Sequence, residues 1–140
     1  MPEPQELSKA RRCLARAEAD LSSADGLAQL VEGLAFLDDV IGSGTAAATT
    51  ARNLAMTYAA RIYARVGRAV VGDAQLPEPE LEHFFKVVLA FDLVGAALPE
   101  SAQELKIEVA RRLIDRYHEG HSPEKKQRAL DELAQIRRRD

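Results

Sequence analysis

The chain contains few of the residues on which many function classes depend. Its 140 residues include one cysteine, Cys13, no tryptophan, and only 5% aromatic side chains. A single cysteine excludes a disulfide within the chain and fits a reducing compartment. The N-terminus lacks the positive region and apolar run of a secretory signal, and nowhere do about 18 apolar residues follow one another without interruption. We therefore expect a cytoplasmic protein without a membrane partner.

Chemical motifs are also scarce. The sequence has no glycine-rich phosphate loop and no serine or cysteine motif of a hydrolase. Its formal net charge is −3, which argues against a general nucleic-acid binder, and no cofactor is expected. These features favour a protein that is not an enzyme.

Apolar residues are what the sequence does contain, at 46% of the total, with Ala and Leu as their main members. Strands favour β-branched and aromatic residues, so this composition predicts closely packed helices. A chain of this length fits one domain, here residues 1–140. The apolar residues recur every three or four positions, which predicts an all-α fold of about six antiparallel helices. The predicted helices lie within residues 7–21, 27–41, 45–71, 79–99, 100–120 and 122–136.

The first predicted helix has a narrow apolar stripe with two apolar positions in every seven residues, from Leu7 to Leu21. A helix of a globular protein usually has three or four, whereas a helix-pairing seam has two. The stripe therefore has two interpretations. It covers the second helix within the chain, as terminal helices of repeat arrays do, or it pairs with its symmetry mate in a weak homodimer.

One short sequence pattern occurs twice in the chain. Residues 34–36 (Leu-Ala-Phe) lead into 63–67 (Tyr-Ala-Arg-Val-Gly), and residues 89–91 (Leu-Ala-Phe) lead into 117–120 (Tyr-His-Glu-Gly). The two copies are offset by 55, 54 and 53 residues along their length. Self-similarity of this kind is typical of stacked helical units that bury a common core.

The lengths of the two copies lie close to the spacing of about 34 residues in tetratricopeptide repeats. Residues 53–58 (Asn-Leu-Ala-Met-Thr-Tyr) resemble the family's motif for the first helix of a repeat, and residues 122–130 resemble the entry to a second helix. Over about residues 27–136 the chain thus resembles a tetratricopeptide-repeat protein. The resemblance implies a helical array with Leu54 and Tyr58 in its core. A compact bundle built from a duplicated helical pair is the alternative.

Charge is distributed unevenly along the chain. Residues 25–43 carry four acidic and no basic side chains, residues 44–72 carry four arginines and no acid, and residues 73–100 carry six acids and one lysine. The third predicted helix is therefore a cationic rod between two acidic neighbours. In one interpretation Asp38, Asp39 and Glu82 neutralise its arginines across helix contacts.

In the other interpretation the third helix lines a groove for a partner. Arg61, Arg65 and Arg68 recur at helical spacing and form one stripe. Arginine is enriched in protein interfaces and binds carboxylates through its planar fork. Our leading hypothesis is a non-enzymatic interaction module, similar to an adaptor or chaperone, in which Arg52, Arg61, Arg65 and Arg68 orient an acidic peptide or helix.

The alternative function is a metal-dependent enzyme. Glu80 and His83 are three residues apart, as are Asp115 and His118, and paired motifs of this kind hold di-iron centres in four-helix bundles. Such a centre also needs a carboxylate from each of two further helices. Glu32 could supply one, but residues 45–72 contain no acid. We therefore assign no metal ligands.

Overall fold

The structure, a computed structural model, describes residues 3–73, 75–94 and 100–138, and these residues form six α-helices and no strand. A short 3-10 turn, Phe91–Leu93, follows the fourth helix. The predicted all-α class is confirmed. The helices are α1 (Gln5–Ala19), α2 (Ala24–Gly42), α3 (Ala47–Gly72), α4 (Glu78–Ala90), α5 (Glu100–Glu119) and α6 (Pro123–Arg138).

Local sequence sets several helix ends. Ser23 caps α2, because its hydroxyl accepts the backbone N–H of Gly26 at 2.9 Å. Pro77 precedes α4, which begins at Glu78, one residue before the predicted start, so Pro79 occupies the second helical position. The predicted stop of α4 at Pro99 lies outside the described residues, and the helix already ends at Ala90.

The end of α5 is a Schellman motif. The backbone N–H of Ser122 donates to the carbonyl of Tyr117 at 2.9 Å, and that of His121 donates to the carbonyl of His118 at 3.2 Å. The left-handed position of this motif is usually a glycine, but here it is His121, with φ of 55°. Gly120, the last residue of the predicted helix, precedes this left-handed position by one residue.

Helix contacts follow the order of the chain. The pairs α1–α2 and α5–α6 pack most closely, and further contacts join α2 to α3 and α4, α3 to α5, and α4 to α5. Each helix thus packs mainly against the next helix or the next but one, an order that a helical array and a compact bundle share. The largest side chains with almost no exposure are Phe91, Leu7, Leu14, Leu30, Leu34, Leu37, Ile62, Leu81, Leu113 and Ile136.

The stripe of α1 is buried within the chain. Leu7, Ala10, Leu14 and Ala17 are nearly inaccessible, and α2 is the main neighbour of their helix. A Cβ atom on Gly33 would lie 3.0 Å from side-chain atoms of α1, so this glycine lets the two helices approach closely. Of the two interpretations of the stripe, the intrachain cover is therefore confirmed, and the dimer seam on α1 is wrong.

Two residues that we expected in the core, Leu54 and Tyr58 on α3, lie at its edge and are half-buried. Two further apolar residues, Val31 on α2 and Leu130 on α6, are 40% and 38% exposed. Each lies well away from the middle of the buried stripe of its helix at about 100° per residue. The spacing of apolar residues identified the buried face of each helix correctly, but it also assigned to that face residues that lie at its edge.

Candidate functional site

The predicted arginines fall on two sides of α3. At about 100° per residue, Arg61, Arg65 and Arg68 lie within about 60° of one another around the helix axis. Arg52 precedes Arg61 by nine residues and is therefore about half a turn away from it. The structure brings three of the four arginines together, and we call Arg61, Arg65 and Arg68 the arginine sector.

The end of α1 contacts the arginine sector. The guanidinium of Arg61 forms an ion pair with the carboxylate of Glu18, and Arg65 donates a hydrogen bond to the backbone carbonyl of the same residue. A cation near the last carbonyls of a helix complements its dipole. The arginines thus fix α1 on α3. The predicted neutralising residues Asp38, Asp39 and Glu82 are not their partners, because α1 and not α2 or α4 covers this side of α3.

The arginine sector keeps an excess of positive charge, because among the described residues only one carboxylate, that of Glu18, pairs with it. The side chain of Arg61 is still 55% exposed, although it also stacks over the Tyr58 ring at 5.2 Å. Arg65 and Arg68 are exposed, and Arg68 forms no ion pair or hydrogen bond with another described residue. The guanidinium of Arg61 is thus the exposed member of its pair with Glu18, whose side chain is only 16% exposed.

Besides the arginine sector, α3 exposes a strip of small and apolar side chains. Met56 and Val71 are 38% and 66% exposed, and the exposed Ala60 and Ala64 lie between them. At about 100° per residue, Ala64 and Val71 lie about 40° and 60° from Arg68 around the helix axis, whereas Met56 lies about 120° from it. We call this strip together with the arginine sector the α3 surface. It combines apolar contact area with cations along one edge.

A cleft of about 440 Å³ lies elsewhere, between α4 and α6 and above α5. We call it the α4–α6 cleft. Its floor and walls are apolar, and its rim is charged. The lining residues are Glu82, Phe85, Leu89, Leu113, Tyr117, Lys125, Arg128, Ala129, Asp131 and Glu132. Sequence reasoning missed this cleft, and none of the predicted arginines lines it.

Tyr117 lines the α4–α6 cleft at the end near the α5–α6 turn. Burial raises the pKa of its hydroxyl to about 12, and the charges of Glu82 and Glu78 and a hydrogen bond to Glu82 act in the same direction. The ammonium of Lys125 lies over the Tyr117 ring at 5.7 Å and within 3.8 Å of carboxylate oxygens of Glu78 and Glu82. These contacts join the N-terminal parts of α4 and α6 to the last turn of α5.

The two predicted metal-binding pairs lie in different places. Glu80 and His83 border a small cleft at the α1–α2 turn, whereas Asp115 borders a cleft beside the α3–α4 connection. His83 Nε2 lies 2.6 Å from the Leu21 carbonyl and therefore carries the proton, because a carbonyl can only accept. Within the described ranges, no three side chains of His, Cys, Asp or Glu converge on a position for a metal ion.

His118 and Cys13 also lie in surroundings that indicate a structural role. His118 Nδ1 lies 3.1 Å from the ammonium of Lys126, which donates to it across the α5–α6 turn. Burial raises the pKa of the Cys13 thiol, and the charge of Glu32 adds to this rise against the smaller effect of the neighbouring arginines. A thiol with a raised pKa is a poor nucleophile. Cys13 is thus a packing residue of α1.

A buried ion pair connects α5 to the 3-10 turn. Lys106 is 3% exposed, and its ammonium pairs with the carboxylate of Asp92. Nearby, the Tyr63 hydroxyl donates to the carbonyl of Val88 at 2.7 Å, and burial together with the charge of Asp92 raises the pKa of this tyrosine. Sequence reasoning missed Lys106, although it lies in register with the apolar stripe of α5.

The comparisons with known proteins add no family to this description. Family models, curated proteins and solved structures all give no match to the chain. Among the helices that the structure describes, none is both long and apolar enough to cross a lipid bilayer.

Proposed function

We propose that the chain is a non-enzymatic protein-interaction module, similar to an adaptor or chaperone, whose α3 surface binds an acidic peptide or helix of a protein partner. One observation carries the proposal. The arginine sector holds three guanidinium groups, and a single carboxylate, that of Glu18, pairs with it among the described residues. A partner with several carboxylates would supply the missing negative charge.

The chemistry of α3 favours an acidic partner in particular. Residues 44–72 contain no acidic side chain, so no carboxylate on the helix itself competes for its arginines. A guanidinium binds a carboxylate through two parallel hydrogen bonds, which fixes the orientation of the bound segment. The apolar strip from Met56 to Val71 offers contact area for the apolar side of the same segment.

The same charges disfavour two other partners. In an isologous dimer through α3, cations of one copy would face cations of the other. Nucleic acid would also supply negative charge, but the chain carries a net charge of −3, and Tyr58, the aromatic ring beside the sector, already stacks with Arg61. An acidic protein segment satisfies the arginines without either conflict.

The helical array provides a rigid support for this surface. Buried residues of α3 pack against neighbouring helices over most of its length, from Ala51 to Val70. A tetratricopeptide-like use of the array, with one long helix presented to the partner, forms part of the proposal. Because Arg52 lies on the other side of α3, we assign the orientation of the acidic segment to Arg61, Arg65 and Arg68.

Charge reversal at Arg68 tests the proposal. The acidic probe is a fluorescein-labelled dodecapeptide of glutamates with leucines four residues apart, and its binding is measured by fluorescence anisotropy. We expect Arg68→Glu to weaken binding about tenfold, which corresponds to about 1.4 kcal/mol, because it removes an attraction and adds a repulsion. Arg68 makes no contact that the fold needs, so the variant should unfold at the wild-type temperature.

Arg111→Glu is the matched control. Arg111 is an exposed arginine of α5, so this variant carries the same change in net charge at a different place. It should alter binding of the acidic probe by less than about twofold. Equal weakening by both variants would mean that the probe responds only to total charge, and the α3 surface would then not be its site.

A further inference from the structure

The exposed side of α2 carries a charge opposite to that of the arginine sector. Asp38 and Asp39 are exposed, and their side chains form no ion pair or hydrogen bond with another described residue. At about 100° per residue, Ala35 lies between them around the helix axis, about 60° from Asp38 and about 40° from Asp39. Ala28 and Val31 are also exposed and lie within about 40° of Ala35. We call these five residues the α2 surface.

The two carboxylates of the α2 surface lie at an unfavourable end of their helix. Asp38 and Asp39 lie four and three residues before Gly42, the last residue of α2, and the last turn of the helix contains no basic residue. The carbonyl groups at the C-terminal end of a helix carry partial negative charge, so acids there are unfavourable and cations are favourable. Glu6 of α1 lines a small cleft together with Asp39, and none of the lining residues of that cleft is basic. A cation from outside the chain would therefore stabilise this end of α2.

No cation of the same chain pairs with these acids among the described residues. Residues 43–46 join α2 to α3, so the acidic end of α2 lies near the start of α3. Arg61 follows Ala47, the first residue of α3, by 14 residues, which is about 21 Å along the helix. Arg52, which is nearer to the start of α3, and Lys9, which lies over an aromatic ring of α2, form no ion pair either. The acids of α2 and the arginine sector thus stay apart within one copy.

We propose that the arginine sector of one copy binds the α2 surface of a second copy, so that copies of the chain associate and compete with the acidic partner for the same arginines. This inference rests on the proposed function, because it gives the α3 surface a second occupant. Arg68, which forms no ion pair within its own chain, donates to the carboxylates of Asp38 and Asp39 of the second copy. The small exposed residues beside these charges on both helices allow the helices to approach closely.

The proposed contact joins two different surfaces. Each copy offers its α3 surface to one neighbour and its α2 surface to another, so the interface is heterologous. Arginines of one copy then face acids of the next, and repulsion between two arginine sectors does not arise. Ion pairs between exposed charges contribute only about 0.2–1 kcal/mol each. We therefore expect weak association that decreases as salt screens the charges.

Light scattering of the full chain tests the inference. At low ionic strength and about 1 mM protein, we expect an average mass at least about 1.3-fold above that of one chain. The mass should return to that of one chain in about 0.5 M salt, and also when the acidic probe saturates the arginine sector. A mass that stays at that of one chain at low salt would overturn the inference. Binding of the acidic probe by such a chain would show that the proposed function stands without it.

Charge reversal on each surface is the second arm of the experiment. Arg68→Glu alters only the α3 surface, and the double variant Asp38→Lys, Asp39→Lys alters only the α2 surface. Each variant alone should associate at least about tenfold more weakly than the wild type, since like charges then meet. An equimolar mixture of the two should associate again, because the unaltered acids of the first variant can bind the unaltered arginines of the second. A mixture that associates no better than either variant alone would overturn the inference.

Two control variants carry the same changes in net charge at other places. Arg111→Glu matches Arg68→Glu, and the double variant Glu104→Lys, Glu119→Lys matches the α2 double variant, since all three residues are exposed on α5. Both controls should associate within about twofold of the wild type. If they associated as weakly as the variants of the two surfaces, association would depend only on total charge, and the inference would be wrong.

Discussion

Replacement of Asp92 by Asn should lower the free energy of unfolding by about 3 kcal/mol, because it leaves the buried ammonium of Lys106 without its counter-charge. The side chain of Lys106 is 4% exposed, and no other described residue pairs with it. Asparagine has nearly the volume of aspartate, so the loss reports the charge and not a cavity. Urea unfolding at neutral pH measures it.

Removal of Lys106, the other member of this ion pair, should lower the free energy of unfolding by less. Lys106→Met keeps an unbranched apolar stem in the core and leaves Asp92, whose side chain is 23% exposed, in contact with water. We expect a loss of about 1–2 kcal/mol for this variant, and the double variant Asp92→Asn, Lys106→Met should be more stable than Asp92→Asn alone. If the two single variants lost the same free energy of unfolding, the burial of Lys106 in the structure would be contradicted.

The second large effect is expected at Gly26, in the first turn of α2. A Cβ atom at this position would lie 1.8 Å from the backbone oxygen of Asp20, a distance that no adjustment of a side chain relieves. Gly26→Ala must therefore displace the turn between α1 and α2, including the cap that Ser23 provides. We expect a loss of about 3 kcal/mol or more, measured by thermal and urea unfolding.

Gly42→Ala is the control for this prediction. Gly42 is the last residue of α2, and a Cβ atom there would meet no atom within 4 Å. Alanine loses less backbone entropy than glycine in a helix, so this variant should be neutral or more stable by up to about 1 kcal/mol. If both alanine variants had the same stability, the close approach of Gly26 to the α1–α2 turn would be contradicted.

Local signals were sufficient to predict the helices. Spacing of apolar residues located all six, and the predicted start of the last helix at residue 122 lies one residue before the observed start of α6 at Pro123. The predicted end of α5 at residue 120 agrees with its observed last residue, Glu119, but the left-handed residue follows Gly120. The motif there requires a left-handed residue at His121, and a histidine gives no sequence signal for that conformation.

Features that depend on how helices cross could not be predicted in this way. The partner of Arg61 is Glu18, which lies 43 residues away and on a helix that we did not consider for this role. The burial of Lys106 and the α4–α6 cleft likewise result from the packing of α5 against its neighbours. By contrast, the separation of Arg52 from Arg61 follows from nine residues of helix alone, and counting around the helix would have revealed it.

The most direct test of the α3 surface as a binding site is NMR of the uniformly ¹⁵N-labelled chain during titration with the acidic probe. We expect the backbone amides and arginine Nε signals of residues 61–71 to shift together, and the amides near Glu18 to shift as its ion pair with Arg61 is exchanged. Shifts confined to α6 and the α4–α6 cleft, or none at probe concentrations that saturate the anisotropy signal, would contradict the proposed function.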